Sequence, residues 1–210
     1  DGEQSEQFAA PGKTAMQTAI DAGGLLKGDN VTVFAWGFGR HISNTTLEQI
    51  ATDPSKARLA RNMSELTDYL VGLEADVCNV SPPPSSPPPP PSPPSPPQPP
   101  PAAPPTLPPP PAAPPPMPPC ATPIDFILVL DESGSMKSPI PGSPLGSMPG
   151  LKAFAKELVN NYFLGEGMAR FSVVSFADDA TLRVPWSMDE AVIDAGIDEM
   201  SADGKTSISD

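Results

Sequence analysis

Unbroken apolar runs and helically spaced stripes occupy both ends of this 210-residue chain, with a long proline tract between them. The run at 126–130 has no polar interruption, which predicts a strand buried on both faces, as in a parallel α/β sheet. Leu151, Phe154, Ala155, Leu158, Val159 and Tyr162 then fall on one helical face and predict a helix packed on that strand. Residues 171–176 read as the next buried strand. After the turn at Ala177, Asp178 and Asp179, residues 180–185 read as an antiparallel edge strand whose end tolerates Pro185. Ile193, Ile197 and Met200 mark a short helix leading to Thr206. In the opening segment the pattern predicts a helix over 14–26 and a strand over 31–36. A last helix over 64–77 buries Leu66, Tyr69, Leu70, Leu73 and Val77. Asn62, with Glu65 three residues on, suits its N-cap.

Composition changes the domain count. Of 34 prolines, 26 lie within residues 82–119, so only the two flanking segments can build cores. Proline lacks a backbone donor, and residues 81–119 therefore predict an extended polyproline II linker. At about 3.1 Å per residue it spans up to roughly 120 Å. The net charge of −13 disfavours nucleic acid and anionic membranes and favours cations. No apolar run is long enough to span a bilayer.

The candidate chemistry sits where the 126–130 strand ends, in Asp131, Glu132, Ser133, Gly134, Ser135 and Met136. Ligands of parallel α/β sheets bind outside the carboxyl ends of the strands. One carboxylate with two hydroxyls is a hard-oxygen set suited to Mg²⁺, which keeps waters and open positions. Glu132 is expected to point to solvent. No nucleophile–base pair, phosphate loop or zinc pattern appears, and His41 is the only histidine. The reading is a binding protein and not an enzyme.

The Asp131-x-Ser133-x-Ser135 loop resembles the metal-ion-dependent adhesion site of von Willebrand factor type A (VWA) domains. Thr206 falls where that family carries a Thr, and Asp1-Gly2 looks like the tail of its later Thr-Asp-Gly turn. The segment from Val31 to Gly39 resembles a late family strand with its Gly-x-Gly ending. The resemblance implies a doubly wound, mostly parallel, Rossmann-like sheet, present here as two partial domains. Residues 1–80 resemble the C-terminal half of one VWA domain, 81–119 are the linker, and 120–210 resemble the N-terminal half of a second. The chain reads as a window cut across tandem repeats. One helix and the central strand of the family pattern are supplied by neither half. If the halves assemble, the 126–130 strand must pair with 31–36 or leave a gap.

The same resemblance implies the site residues. Ser133 and Ser135 would contact Mg²⁺ (or Mn²⁺ or Ca²⁺) directly, Asp131 partly through water, Thr206 directly, and an Asp equivalent to Asp1 would complete the ring. The implied partner is a protein presenting an acidic side chain, matrix components included. Many extracellular VWA domains pair a cysteine before the first strand with one after the last helix. On that pattern Cys78 and Cys120 belong to different domains, with their partners outside this chain. The linker resembles hydroxyproline-rich glycoproteins of extracellular matrices. Asn30, Asn44, Asn62 and Asn79 open N-glycosylation sequons, which also favours a secreted, cell-surface or matrix location. The alternative is an intracellular scaffold whose P-x-x-P registers recruit SH3, WW or profilin-like domains.

Overall fold

The computed structural model describes residues 5–38, 42–78, 123–138 and 147–207. Asp1, His41, Asn79, Cys120, the proline tract and residues 139–146 lie outside them. The opening segment forms α1 (Ala15–Gly28), β1 (Ala35–Phe38), α2 (Asn44–Ile50), β2 (Ala57–Ala60), α3 (Met63–Asp68) and α4 (Leu70–Cys78). The closing segment forms β3 (Ile124–Asp131), α5 (Ser147–Asn160), β4 (Ala169–Phe176), β5 (Ala180–Ser187) and α6 (Glu190–Asp198). The architecture is mixed α/β. Strands β1 and β2 form a parallel pair, while β3 runs parallel and β5 antiparallel to β4.

Local chemistry sets the element ends. Thr14 caps α1 by accepting from the Gln17 N–H at 3.1 Å. The same helix closes on Asn30 at φ 62°, with Val31 N–H donating to the Leu26 carbonyl and Asn30 N–H to that of Lys27. Asparagine is one of the few residues that tolerates this left-handed position. Asn62 caps α3 through its side-chain oxygen, 2.9 Å from the Glu65 N–H. The helix expected over 64–77 is divided at Tyr69, whose ring is seated between Trp36 and the Arg58 guanidinium. The strand expected over 31–36 forms later, at Ala35, because its partner begins at Ala57. Ahead of that point Val33 bonds Thr52 in a loop, through both its N–H and its carbonyl. Strand β2 escaped the sequence pattern because it is four residues long and carries two alanines.

Helix α5 organises the core. Its Leu151, Phe154, Ala155, Leu158 and Val159 are buried against Leu128 and Leu130 of β3 and Phe171 and Val173 of β4. Below them Phe126 stacks on Phe171 at 4.8 Å and meets Tyr162 edge-on at 4.7 Å. Ala60, Leu66, Leu70 and Leu73 of the opening segment belong to this same core, and Trp36 reaches the Phe154 ring at 5.7 Å. Residues 1–80 and 119–210 accordingly form one compact unit. Strand β1 is covered on both faces: Trp36 and Phe38 turn to the common core, Ala35 and Gly37 toward Leu47 of α2.

Strand β3 departs from expectation. Leu128 and Leu130 are buried, but Ile127 is 53% and Val129 56% exposed, so one face is open. Among the described residues β3 pairs only with β4, and the sheets β1-β2 and β3-β4-β5 remain separate. An apolar run signals a strand that can be buried on both sides; only a covering element makes it so. At the far end of the opening segment Cys78 is disulfide-bonded within this chain, contrary to the expectation that its partner lies outside it.

Glu74 on α4 is buried, and that burial raises its carboxyl above the usual range. Tyr162 is also buried. Desolvation first, and then the Glu74 charge, push its phenol well above the ordinary tyrosine value. A raised folded-state value means that folding favours the protonated acid. The contribution is fully present below the unfolded glutamate pKa of about 4.3 and is lost as pH rises through the raised value. Glu74→Gln is therefore expected to raise the thermal midpoint at neutral pH and flatten its fall as pH rises above the ordinary glutamate range, read by circular dichroism. Phe154→Ala is expected to cost about 3–5 kcal/mol in urea titration. Its exchange signature should loosen β1 and β3 amides together, whereas loosening of β3 alone would refute a common core.

Candidate metal centre

The loop after β3 is built by short polar contacts. Asp131 Oδ1 accepts from the Ser133 N–H at 2.8 Å, a side-chain turn that folds the chain back on itself. Gly134–Lys137 then make a single 3-10 turn, which brings the Ser133 and Ser135 hydroxyls to 3.0 Å. Ser133 is 1% exposed and Thr206 4%, so both residues are withdrawn from solvent.

A second loop lies along the first. Asp203 N–H donates to the Glu132 carbonyl at 2.7 Å, and Gly134 N–H donates to the Gly204 carbonyl at 3.0 Å. Thr206 is fixed from the opening segment: its carbonyl accepts from Ser5 N–H at 2.8 Å and its N–H donates to Ser5 Oγ at 3.2 Å. Ser207 N–H donates to Ala177 O at 2.8 Å, and Lys205 N–H to Asp178 Oδ1 at 3.0 Å. Two glycines permit this approach. A Cβ on Gly134 would lie 3.0 Å from the Gly204 carbonyl, and one on Gly204, at φ +68°, 2.7 Å from Asp178 Oδ2. At the rim, Lys137 and Asp203 pair at 3.7 Å with both side chains exposed, a contact worth little.

Glu132 does not point to solvent. It is 6% exposed, and its Oε1 accepts from Arg183 Nη2 at 2.6 Å and from Ser175 Oγ at 2.8 Å. Its other oxygen accepts from the Ser201 N–H at 3.2 Å. A carboxylate leaves water only when such charge-assisted bonds replace its hydration. Sequence reasoning missed Glu132, Ser175, Arg183 and Ser5. The available signal was Arg183, a lone cation in an otherwise uncharged strand that needs a partner when partly buried.

Of the expected ligands, the structure ties Asp131, Ser133 and Ser135 together and sets the Thr206 loop against them. Asp1 lies outside the described residues, four positions before the docked Ser5. No three His, Cys, Asp or Glu side chains converge among the described residues. The donor set is one carboxylate with hydroxyls. Two oxygens on adjacent corners of a Mg²⁺ octahedron, each about 2.0–2.1 Å from the ion, are about 2.9 Å apart. The observed 3.0 Å between Ser133 Oγ and Ser135 Oγ fits such an edge.

Residues 126–210 match the von Willebrand factor type A domain family model, which supports a VWA domain in the closing segment. No curated protein matches the chain. Among solved structures it is similar to proximal thread matrix protein 1 of the mussel byssus with a zinc-occupied MIDAS motif. That likeness is at 24% identity over 94% of this chain and 40% of that one, with a TM-score of 0.36. It is also similar to the vWF domain of the type V pili tip protein Mfa5 from Porphyromonas gingivalis, at 22% identity over 40% and 28%, TM-score 0.32. An uncharacterized protein from Alicyclobacillus acidocaldarius aligns at 14% identity over 92% and 81%, TM-score 0.45. The chain spans less than half the length of the byssus and pilus structures it matches.

Gly204→Ala is expected to destabilise the protein by at least about 1 kcal/mol, since it combines a left-handed backbone with a Cβ clash. Denaturant titration measures it.

Proposed function

We propose that the chain belongs to a metal-dependent adhesion or protein-binding module of VWA type. In this reading Asp131, Ser133, Ser135 and Thr206, with an Asp equivalent to Asp1, hold Mg²⁺ or Mn²⁺. The observation that carries it is the 3.0 Å pair of serine oxygens beside one carboxylate, with buried Thr206 in the facing loop. The bound ion would supply a Lewis-acidic position that an acidic side chain of a protein partner can fill.

The residues themselves divide the remaining work. Asp131 spends one oxygen on the Ser133 amide, which fixes the loop and limits the negative charge offered to a cation. The hydroxyls are neutral donors, so an ion held mainly by them keeps its attraction for an outside carboxylate. Burial of Ser133 and Thr206 sets their positions in advance and lowers the ordering cost of binding. The exposed Lys137 beside the loop adds a favourable field for an acidic partner.

The wider assignment follows the same reading. Residues 1–80 and 120–210 are proposed as halves of successive VWA repeats, joined by the 81–119 linker, in an extracellular matrix or cell-surface glycoprotein. Described sequon positions differ in character: Asn30 is exposed in a turn, Asn44 is exposed at a helix start with its Nδ2 donating to Glu48 Oε1 at 2.6 Å, and Asn62 is engaged as a cap.

Calorimetric titration of the full chain with MnCl₂ and MgCl₂ tests the proposal. Saturable uptake is expected, lost or weakened at least about tenfold in Asp131→Ala, because a direct or water-linked carboxylate is removed. An immobilised Glu- or Asp-containing peptide should be retained only with the ion present. Absence of uptake by the wild-type chain would refute the metal-dependent reading.

A further inference from the structure

We infer that Glu132 is the positioning residue of this loop pair: its buried, charge-compensated carboxylate clamps the 201–206 segment and so presents Thr206 to Ser133 and Ser135. The inference rests on the metal-dependent reading for its functional consequence, but its structural content stands on the contacts alone.

Glu132 lies between Asp131 and Ser133, yet its side chain runs the opposite way from theirs in function. Both of its carboxylate oxygens are engaged from other elements. Ser175 comes from β4, Arg183 from β5, and the Ser201 N–H from the segment after α6. Arg183 is itself oriented, because its Nε donates to Ser175 Oγ at 2.8 Å. The backbone of Glu132 repeats the pattern. Its N–H donates to the Phe176 carbonyl at 2.9 Å, and its carbonyl accepts from Asp203 N–H at 2.7 Å. One residue therefore joins β3, β4, β5 and the loop that carries Thr206.

Charge explains why the residue at this place is an acid held by an arginine. A buried carboxylate without a countercharge would compete for any cation brought to the neighbouring hydroxyls. Arg183 cancels that charge locally, so Glu132 can accept the Ser201 amide without becoming a ligand. Ser201 then anchors the start of a segment whose later bonds, Asp203 N–H to the Glu132 carbonyl and Gly134 N–H to the Gly204 carbonyl, carry the chain to Thr206. Outer-shell groups of this kind typically alter metal affinity by about ten- to a hundredfold when removed.

The test uses the full chain with Glu132→Gln, Arg183→Met and the double variant Glu132→Met/Arg183→Met. Without metal, the Ser201 amide should be protected from hydrogen exchange in the wild type and exposed in Glu132→Gln and the double variant. The Ser207 amide, bonded to Ala177, serves as the reference. With MnCl₂, Glu132→Gln should bind about tenfold or more weakly. The double variant removes both charges at once, so its thermal midpoint should recover relative to Arg183→Met while Ser201 protection and ion affinity stay low. A merely structural ion pair would let ion affinity recover together with the thermal midpoint, and that result overturns the inference. So would unchanged Ser201 protection in Glu132→Gln. If the wild type takes up no ion but Ser201 follows the expected pattern, the metal reading falls and the clamp stands.

Discussion

Burial of the α5 stripe is the constraint on which this structure depends. A 14-residue helix with six buried apolar side chains has to be covered along its length, and β3-β4 alone covers only part of it. The remainder is covered by Trp36 on β1 and by Leu66, Leu70 and Leu73 on α3 and α4. Each such side chain is worth about 1.5–3 kcal/mol when withdrawn from water, which makes the common core the largest favourable contribution available to either segment. Segments separated in sequence by a proline tract meet because each has an apolar face the other can hide.

That packing also assembles the loop cluster. With the two segments on one core, Ser5 bonds Thr206 through both backbone and side chain, and Thr206 stands beside the Asp131 loop. The buried polar network then takes over from apolar packing. Glu132, Arg183 and Ser175 would each cost free energy if buried alone, but together they satisfy one another.

The open face of β3 is the counterpart of this arrangement. Ile127 and Val129 lie in cross-strand register with Ser172 and Val174, and Leu182 on β5 continues the apolar surface. An exposed aliphatic sheet face of this kind is uncommon in a finished domain. It stands in contrast to β1, which is covered on both sides.

Much of the closing segment was legible in the sequence. The stripes of α5 and α6, the parallel strands and the antiparallel β5 follow from period and turn chemistry, which are local properties. The Asn62 cap was legible for the same reason. Strand β2, the break at Tyr69 and the delayed start of β1 were not, because each is decided by what lies opposite. The apolar run at 126–130 specified a strand; whether an element covers its second face, and so whether Ile127 and Val129 are buried, is not a local property. The Asp131, Ser133 and Ser135 set could be read directly, since three oxygen-bearing side chains in five residues are a local pattern. Glu132 could not, because its direction depends on Arg183, 51 positions away, and on the Ser201 amide, 69 away. Sequence alone determined which side chains the loop offers; the tertiary structure decided which face inward, because burial of a charge is settled by its distant partner.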